Sequence, residues 1–202
     1  MPRGLLIVVS GPSGVGKNTV LNQLLAKKQD LFYSISATTR APRNNEVDGV
    51  NYYFITKEEF IAGIENNRFL EWAEVYGQYY GTPRDKVEKK LNAGYHVVLD
   101  IDIQGAAKIR QNSPEAVLIF LLPPSIEELK QRLVGRRTEN AETLKKRLAY
   151  VHEELAAAVN YDYFVVNDRV ESACAKIEAI IIAEQCRRNR FDFTAFKRNF
   201  LL

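Results

Sequence analysis

The 202-residue sequence predicts an α/β fold, a parallel sheet core flanked by helices, on two observations. Short apolar runs recur at Leu5–Val9, Val97–Ile101 (interrupted by Asp100), Val117–Leu122 and Tyr163–Val166. Such runs mark strands buried on both faces, the habit of parallel sheets. Between them lie segments whose apolar residues recur at helical spacing. Strands alternating with helices imply a layered structure with right-handed crossovers.

The first run leads straight into "SGPSGVGKNT", Ser10–Thr19. Gly11, Gly14 and Gly16, set between a buried strand and a helix, mark a phosphate-binding loop rather than a chance glycine cluster. Glycines there let backbone N–H groups turn inward, and the helix N-terminus adds partial positive charge. Lys17 reaches the terminal phosphates; a tight turn without a ligand would have no use for it. Position 18 is ordinarily Ser or Thr in such loops, so Asn18 departs from the pattern. The departure bears on metal coordination more than on phosphate binding. Val20, Leu21, Leu24 and Leu25 then form the stripe of the first helix.

Residues 36–83 break the rhythm. They are rich in Tyr, Arg, Asn and Gly, with alternating pieces such as "NYYFI", and read as a small inserted lobe of strands and loops. It would lie over the sheet's carboxyl edge, where ligands bind in such folds. Arg40 and Arg43 stand three residues apart, with Ser36, Glu46 and Tyr52 around them. Two guanidiniums this close repel unless an anion lies between them, and Arg forks match phosphate oxygens. Two exposed loop arginines are the plainer reading of that stretch taken alone. In "FLEWAEVYGQYYGTP", Glu71 sits beside Trp72, with Tyr80 and Thr82 beyond a glycine-containing turn. A buried carboxylate accepts two N–H bonds from a base edge such as guanine N1 and N2, a pair that adenine lacks.

Asp100 and Asp102 alternate on the expected second strand and so face one side. Aspartates there need a cation or donors to offset desolvation. After the third run, Ser125 and Glu128 in "SIEEL" form a capping box for a helix carrying Leu129 and Leu133. A further helix carries Leu144, Leu148, Val151 and Leu155, with Arg147 at the border of its stripe, able to lean toward the cleft. A last helix, Ala173 to Cys186, follows the fourth run. His96 and His152 lack partners suggesting a dyad or metal spacing and read as structural.

The composition, 46% hydrophobic and 26% charged, is that of a globular chain. "LLIVV" is too short for a signal peptide and no stretch approaches a membrane span. Cys174 and Cys186 form neither a disulfide framework nor a metal-spaced pair; they read as core or semi-buried thiols in a reducing cytoplasm. Arg187, Arg188, Arg190, Lys197 and Arg198 outweigh the net charge of +3, which leaves the rest of the chain near neutral. Basic charge confined to a solvated helix end is not spread over a nucleic-acid-binding face, so neither nucleic acid nor membrane is an expected partner.

The phosphate loop, "TTRAPR", "FLEWAEVYGQYYGT", "LDIDIQGA" and "GRRTEN" stand in an order and spacing that cover nearly the whole chain, and together they resemble guanylate kinase. The resemblance implies a P-loop nucleoside monophosphate kinase fold: a core at 1–35, 84–134 and 148–202, a GMP-binding lobe at 36–83 and a mobile helical lid at 135–147. It implies phosphoryl transfer from ATP to GMP, giving ADP and GDP, in purine nucleotide metabolism and GMP recycling. Mg²⁺ is the implied cofactor and dGMP a further acceptor. Gly11, Pro12, Ser13, Gly14, Val15, Gly16, Lys17, Asn18 and Thr19 would hold the ATP phosphates, with Asn167 near the adenine. Ser36, Arg40, Arg43, Glu46, Tyr52 and Tyr80 would hold the GMP phosphate or its supporting network. Glu71, Thr82 and Asp102 would read guanine. Asp100 would serve the GMP and Mg²⁺ region, directly or through water, with Asn18 as a second oxygen toward the ion. Arg136 and Arg147 would be lid arginines; Arg137 has no firm role in the family pattern.

Two other readings compete. A binding module of the same family without catalysis would have degraded the loop or lost the arginines, whereas Lys17, Arg40, Arg43, Arg136 and Arg147 are all present. Another nucleoside monophosphate kinase is disfavoured by Glu71 and the 36–83 lobe. The oligomeric state is left open.

Overall fold

The computed structural model describes residues 2–75, 77–134, 150–191 and 193–198. The elements run β1 (Leu6–Ser10), α1 (Lys17–Lys27), β2 (Leu31–Tyr33), β3 (Ala37–Thr38), β4 (Tyr53–Phe54) and α2 (Lys57–Glu65). Next come β5 (Phe69–Val75), β6 (Gln78–Pro83), α3 (Arg84–Asn92), β7 (His96–Asp100), α4 (Ile103–Asn112), β8 (Val117–Leu122) and α5 (Ile126–Val134). Helix α6 is described over 150–157, followed by β9 (Tyr163–Val166), α7 (Val170–Gln185) and α8 (Phe193–Arg198).

The main sheet has the order β2-β7-β1-β8-β9 and every pairing is parallel. β1 lies at its centre, which explains why no polar residue interrupts Leu5–Val9. Leu5, Ile7 and Val9 pack with Val20, Leu21 and Leu24 of α1 and Ala173, Cys174 and Ile177 of α7. Leu6 and Val8 point the other way, toward Val87 and Leu91 of α3 and Ala106 and Ile109 of α4. A strand with helices on both faces needs apolar side chains at every position.

A second, four-stranded sheet, β4-β3-β6-β5, forms from residues within the 36–83 stretch. Only β3 and β4 run parallel in it. Its own core is aromatic: fully buried Phe60 of α2 stacks on Phe69 at 4.3 Å and on Tyr79 at 5.3 Å. Helix α2 starts on a capping box between Thr56 and Glu59. β5 fastens this lobe to the core. Leu70 joins the cluster around α3 and α4, the Asn112 amide donates to the Leu70 carbonyl at 3.1 Å, and the Lys108 ammonium bonds the Trp72 carbonyl while lying over its ring.

Several details differ from the sequence-based expectation. The sheet has a fifth strand, β2, whose three residues at an edge are too few to give a periodic signal. β7 stops at Asp100, so Asp102 does not alternate with it on one strand. Instead Asp102 caps α4, its carboxylate accepting from the Gly105 N–H at 2.8 Å. The last long helix spans Val170–Gln185, and Cys186 beyond it is exposed, while Cys174 is buried as expected. The basic tail is not the end of that helix but a 3₁₀ turn, Arg188–Arg190, followed by α8. The helix expected to carry Leu144, Arg147 and Leu148 is described only from residue 150. Among the described residues no helix is long and apolar enough to cross a membrane.

Because the lobe has a separate core, truncating Phe60 strikes it selectively. Phe60→Ala should cost about 3–5 kcal/mol. Amide exchange protection should fall more in β5 and β6 than in β1 and β8. Equal loss in both sheets would show that the two cores unfold as one.

Candidate active site

The phosphate loop leaves β1 at Ser10, whose hydroxyl donates to the Ile101 carbonyl at 2.7 Å, tying it to the end of β7. Gly16 caps α1 in a left-handed conformation, φ 95°, with no side-chain cap bond. A Cβ here would also lie 2.7 Å from the Asn167 amide nitrogen. Only glycine meets both demands. Asn167, buried at the end of β9, donates to the Val15 carbonyl at 2.7 Å and so braces the loop from beneath. Arg132 of α5 supports the same carbonyl at 3.3 Å. Lys17 is the first residue of α1, and its ammonium donates to the Gly11 carbonyl at 2.8 Å. Asn18 and Thr19 are exposed on the first turn.

Two adjoining cavities open from this loop. One, of about 360 Å³, is lined by Lys17, Asn18, Asn51 and Glu154. The other, of about 320 Å³, is lined by Glu71, Tyr80 and Gly81 of the lobe. Ser36, Tyr52, Asp100 and Asp102 line both, so they form a single cleft running from the phosphate loop into the lobe. Of the residues singled out from the sequence, these eight (Lys17, Asn18, Ser36, Tyr52, Glu71, Tyr80, Asp100 and Asp102) line that cleft. Arg136, Arg137 and Arg147 lie outside the described residues.

On the rim, Arg40 forms a bidentate pair with Glu46, both N–O distances 2.9 Å. Its guanidinium lies 5.4 Å from the Tyr52 ring centroid. Glu46 also accepts the Arg43 backbone N–H at 2.7 Å. Bonding to Arg40, then to Arg43, holds the Glu46 carboxyl below the usual range. Glu46 is therefore a scaffold for both arginines, with the Arg43 side chain left exposed.

Deeper in, Glu71 on β5 is only 6% exposed and accepts the Thr82 hydroxyl at 2.6 Å. Its other oxygen faces α4 so closely that a Cβ on Gly105 would lie 3.0 Å away. Burial pushes the Glu71 carboxyl up to about 6, with Asp102 adding to the rise and Thr82 and Lys108 opposing it. Burial also raises Asp100, and Lys17 offsets part of that rise.

Two titratable cleft residues escaped the sequence reading. Tyr33 lies on the short strand β2, which carried no signal. Glu154 was legible in principle, because the Val151, Glu154, Leu155 spacing places a carboxylate on the apolar face of its helix. Burial pushes Glu154 up to about 7.

A cation would find few protein oxygens. Among the described residues no cluster of three or more His, Cys, Asp or Glu side chains could hold a metal. Asp100, a buried carboxylate, and the amide oxygen of exposed Asn18 share one cavity. That set fits Mg²⁺, which takes one or two protein oxygens and fills its shell with phosphates and water.

Glu71 has a consequence for stability. An acid whose folded pKa exceeds its unfolded value stabilises the fold fully below its unfolded pKa, and loses that contribution as pH rises through its folded value. For Glu71 the window runs from 4.5 to about 6. Glu71→Gln should therefore raise the unfolding free energy at pH 8 by up to about 2 kcal/mol, with little difference at pH 4. Urea titrations at both pH values would measure this, and a destabilised variant at pH 8 would contradict it.

Comparison with known proteins agrees with this geometry. A family model described as "Guanylate kinase" matches residues 3–184. Guanylate kinases of Clostridium perfringens (strain 13 / Type A) and Bacillus anthracis are 56% and 54% identical over 93% of this chain, covering 87% and 92% of their own lengths. The crystal structure of guanylate kinase from Anaplasma phagocytophilum superposes with a TM-score of 0.76 at 36% identity, over 94% of this chain and 90% of that one. The chain belongs to the guanylate kinase family.

Proposed function

We infer that the cleft transfers a phosphoryl group from ATP to GMP, giving ADP and GDP. The observation that carries this reading is one continuous cleft with a phosphate loop at one end and the buried Glu71–Thr82 pair at the other. The loop, Gly11 to Thr19, takes the ATP phosphates on inward N–H groups, and Lys17 meets their charge. Asn167 acts on the donor side by holding the loop at Val15. On the acceptor side, Glu71 accepts from guanine N1–H or the amino group while Thr82 fixes its orientation. Asp102 stands at the α4 N-terminus within reach of the same base. Arg40, Arg43, Ser36, Tyr52 and Tyr80 hold the GMP phosphate, with Glu46 as scaffold. Base and phosphate carry the recognition, so dGMP is also an acceptor. Arg136 and Arg147 complete the arginines around the transferring group.

Phosphoryl transfer needs alignment, charge neutralisation and exclusion of water more than covalent help. Asn18 and Asp100 would hold Mg²⁺, Asp100 directly or through water, and the ion would supply charge neutralisation for the donor phosphates. The acceptor phosphate is already ionised at neutral pH, so no general base is assigned. Free cysteines, one of them buried, suit a cytoplasmic location.

A coupled assay with ATP against GMP, AMP, UMP and CMP tests the reading, and GMP should be the preferred acceptor by a wide margin. Glu71→Gln leaves a donor facing a donor, so GMP affinity should fall about ten- to a hundredfold, with ATP affinity near normal. Lys17→Ala should lower kcat on the order of a hundredfold or more. Asn18→Ala should do much less harm, and Asn18→Ser should remain active with a tighter Mg²⁺ requirement. Absence of Mg²⁺-dependent GMP phosphorylation in the unmutated chain would sink the assignment and favour a binding module.

A further inference from the structure

Glu154 has no task in the transfer assigned to the cleft, yet its placement is costly. It lies on α6, only 7% exposed, between the buried Val151 and the partly buried Leu155. The Ser13 backbone N–H donates to its carboxylate, while among the described residues its Oε2 has no hydrogen-bond partner. A buried carboxylate with an unmatched oxygen is unfavourable unless charge is needed there. A glutamine could hold the Ser13 N–H equally well through its amide oxygen, at a smaller desolvation cost. The negative charge is therefore the feature to explain.

That charge faces the cavity that Lys17 and Asp100 also line. Lys17 acts electrostatically on both acids, favouring the ionised form of each. The ammonium, bonded to the Gly11 carbonyl, shares that cavity with Asp100, Asp102 and Glu154. Removing the Glu154 charge changes the field in which that ammonium is oriented.

We propose that Glu154 is a positioning residue for phosphoryl transfer: it ties the phosphate loop at Ser13 and sets a negative charge in the Lys17 cavity, so that the Lys17 ammonium is aimed at the donor phosphates. It touches no reacting atom and acts through Lys17. The inference rests on the assignment of Lys17 to those phosphates.

The test is a double-mutant cycle of Glu154→Gln and Lys17→Ala at pH 8, with kcat and KM for ATP and GMP read separately. Glu154→Gln keeps size and the Ser13 bond but removes the charge. Its kcat should fall about ten- to a hundredfold, as expected for a misplaced catalytic group, while KM for GMP stays within about twofold. Its Tm should be unchanged or higher. Glu154→Asp, which keeps the charge, should recover part of the loss. On the Lys17→Ala background Glu154→Gln should have no further effect, because its means of action is gone. An unchanged kcat in Glu154→Gln overturns the proposal. So does a full additional loss on the Lys17→Ala background, or a Tm drop large enough to make the role structural. If Glu154→Ala does not fold, the Gln and Asp variants still decide. A wild-type chain inactive on GMP fails the underlying assignment and takes this proposal with it. An active wild type with an indifferent Glu154→Gln sinks this proposal alone.

Discussion

Desolvation of carboxylates around a single lysine sets the terms for this cleft. Burial raises Glu71, Asp100 and Glu154 alike. A buried charge is tolerated only where something nearby opposes its loss of water. Lys17 opposes two of the three, and the Thr82 hydroxyl with Lys108 opposes the third. The apolar cores on both faces of the main sheet supply the stability against which this cost is set. They also account for the location, since β1 and β7 pass directly from a fully apolar interior to the charged edge.

Elements of both sheets line the cleft. The parallel sheet carries the phosphate loop, whereas Glu71 belongs to the lobe. Glu71 nonetheless reaches α4, because β5 packs on that helix and Gly105 offers no side chain to obstruct it. Asp102, at the start of the same helix, spends its carboxylate on the Gly105 N–H. Glu71 and Asp102 thus reach one cleft from both sheets, and a change in the docking of the lobe would move one relative to the other. On the rim, Arg40, Glu46 and the backbone of Arg43 hold one another, and Arg40 also bonds Tyr80 of β6.

Much of this architecture was legible in the sequence because central strands and phosphate loops write strong local patterns. Leu5–Val9 could only be a strand buried on both faces, and Gly11, Gly14, Gly16 and Lys17 follow the pattern of a phosphate loop. Elements held by tertiary contact were not legible. β2 is set by its pairing with β7, not by three residues of its own. Asp102 looked like a strand residue because periodicity does not show where a strand ends and a cap begins. The support that Asn167 gives to Val15 spans most of the chain and leaves no local trace. Glu154 is the instructive miss. The helical spacing that called Val151 and Leu155 core residues also placed Glu154 among them, and an acid on an apolar face is a signal of function or of a partner.

The unusual Asn18 fits the same logic. The shape of the phosphate loop is fixed by elements that ignore position 18: left-handed Gly16 at the helix start, Asn167 beneath Val15, and Ser10 tied to the end of β7. Its side chain is exposed and makes none of these contacts. Exchanging a hydroxyl for a carboxamide there leaves the inward N–H groups and Lys17 where they are, and alters only the oxygen offered to a cation. A carboxamide oxygen is also a hard ligand, and Asp100 lines the same cavity. The loop can therefore depart from the common pattern at a position whose side chain does not hold the loop's own fold.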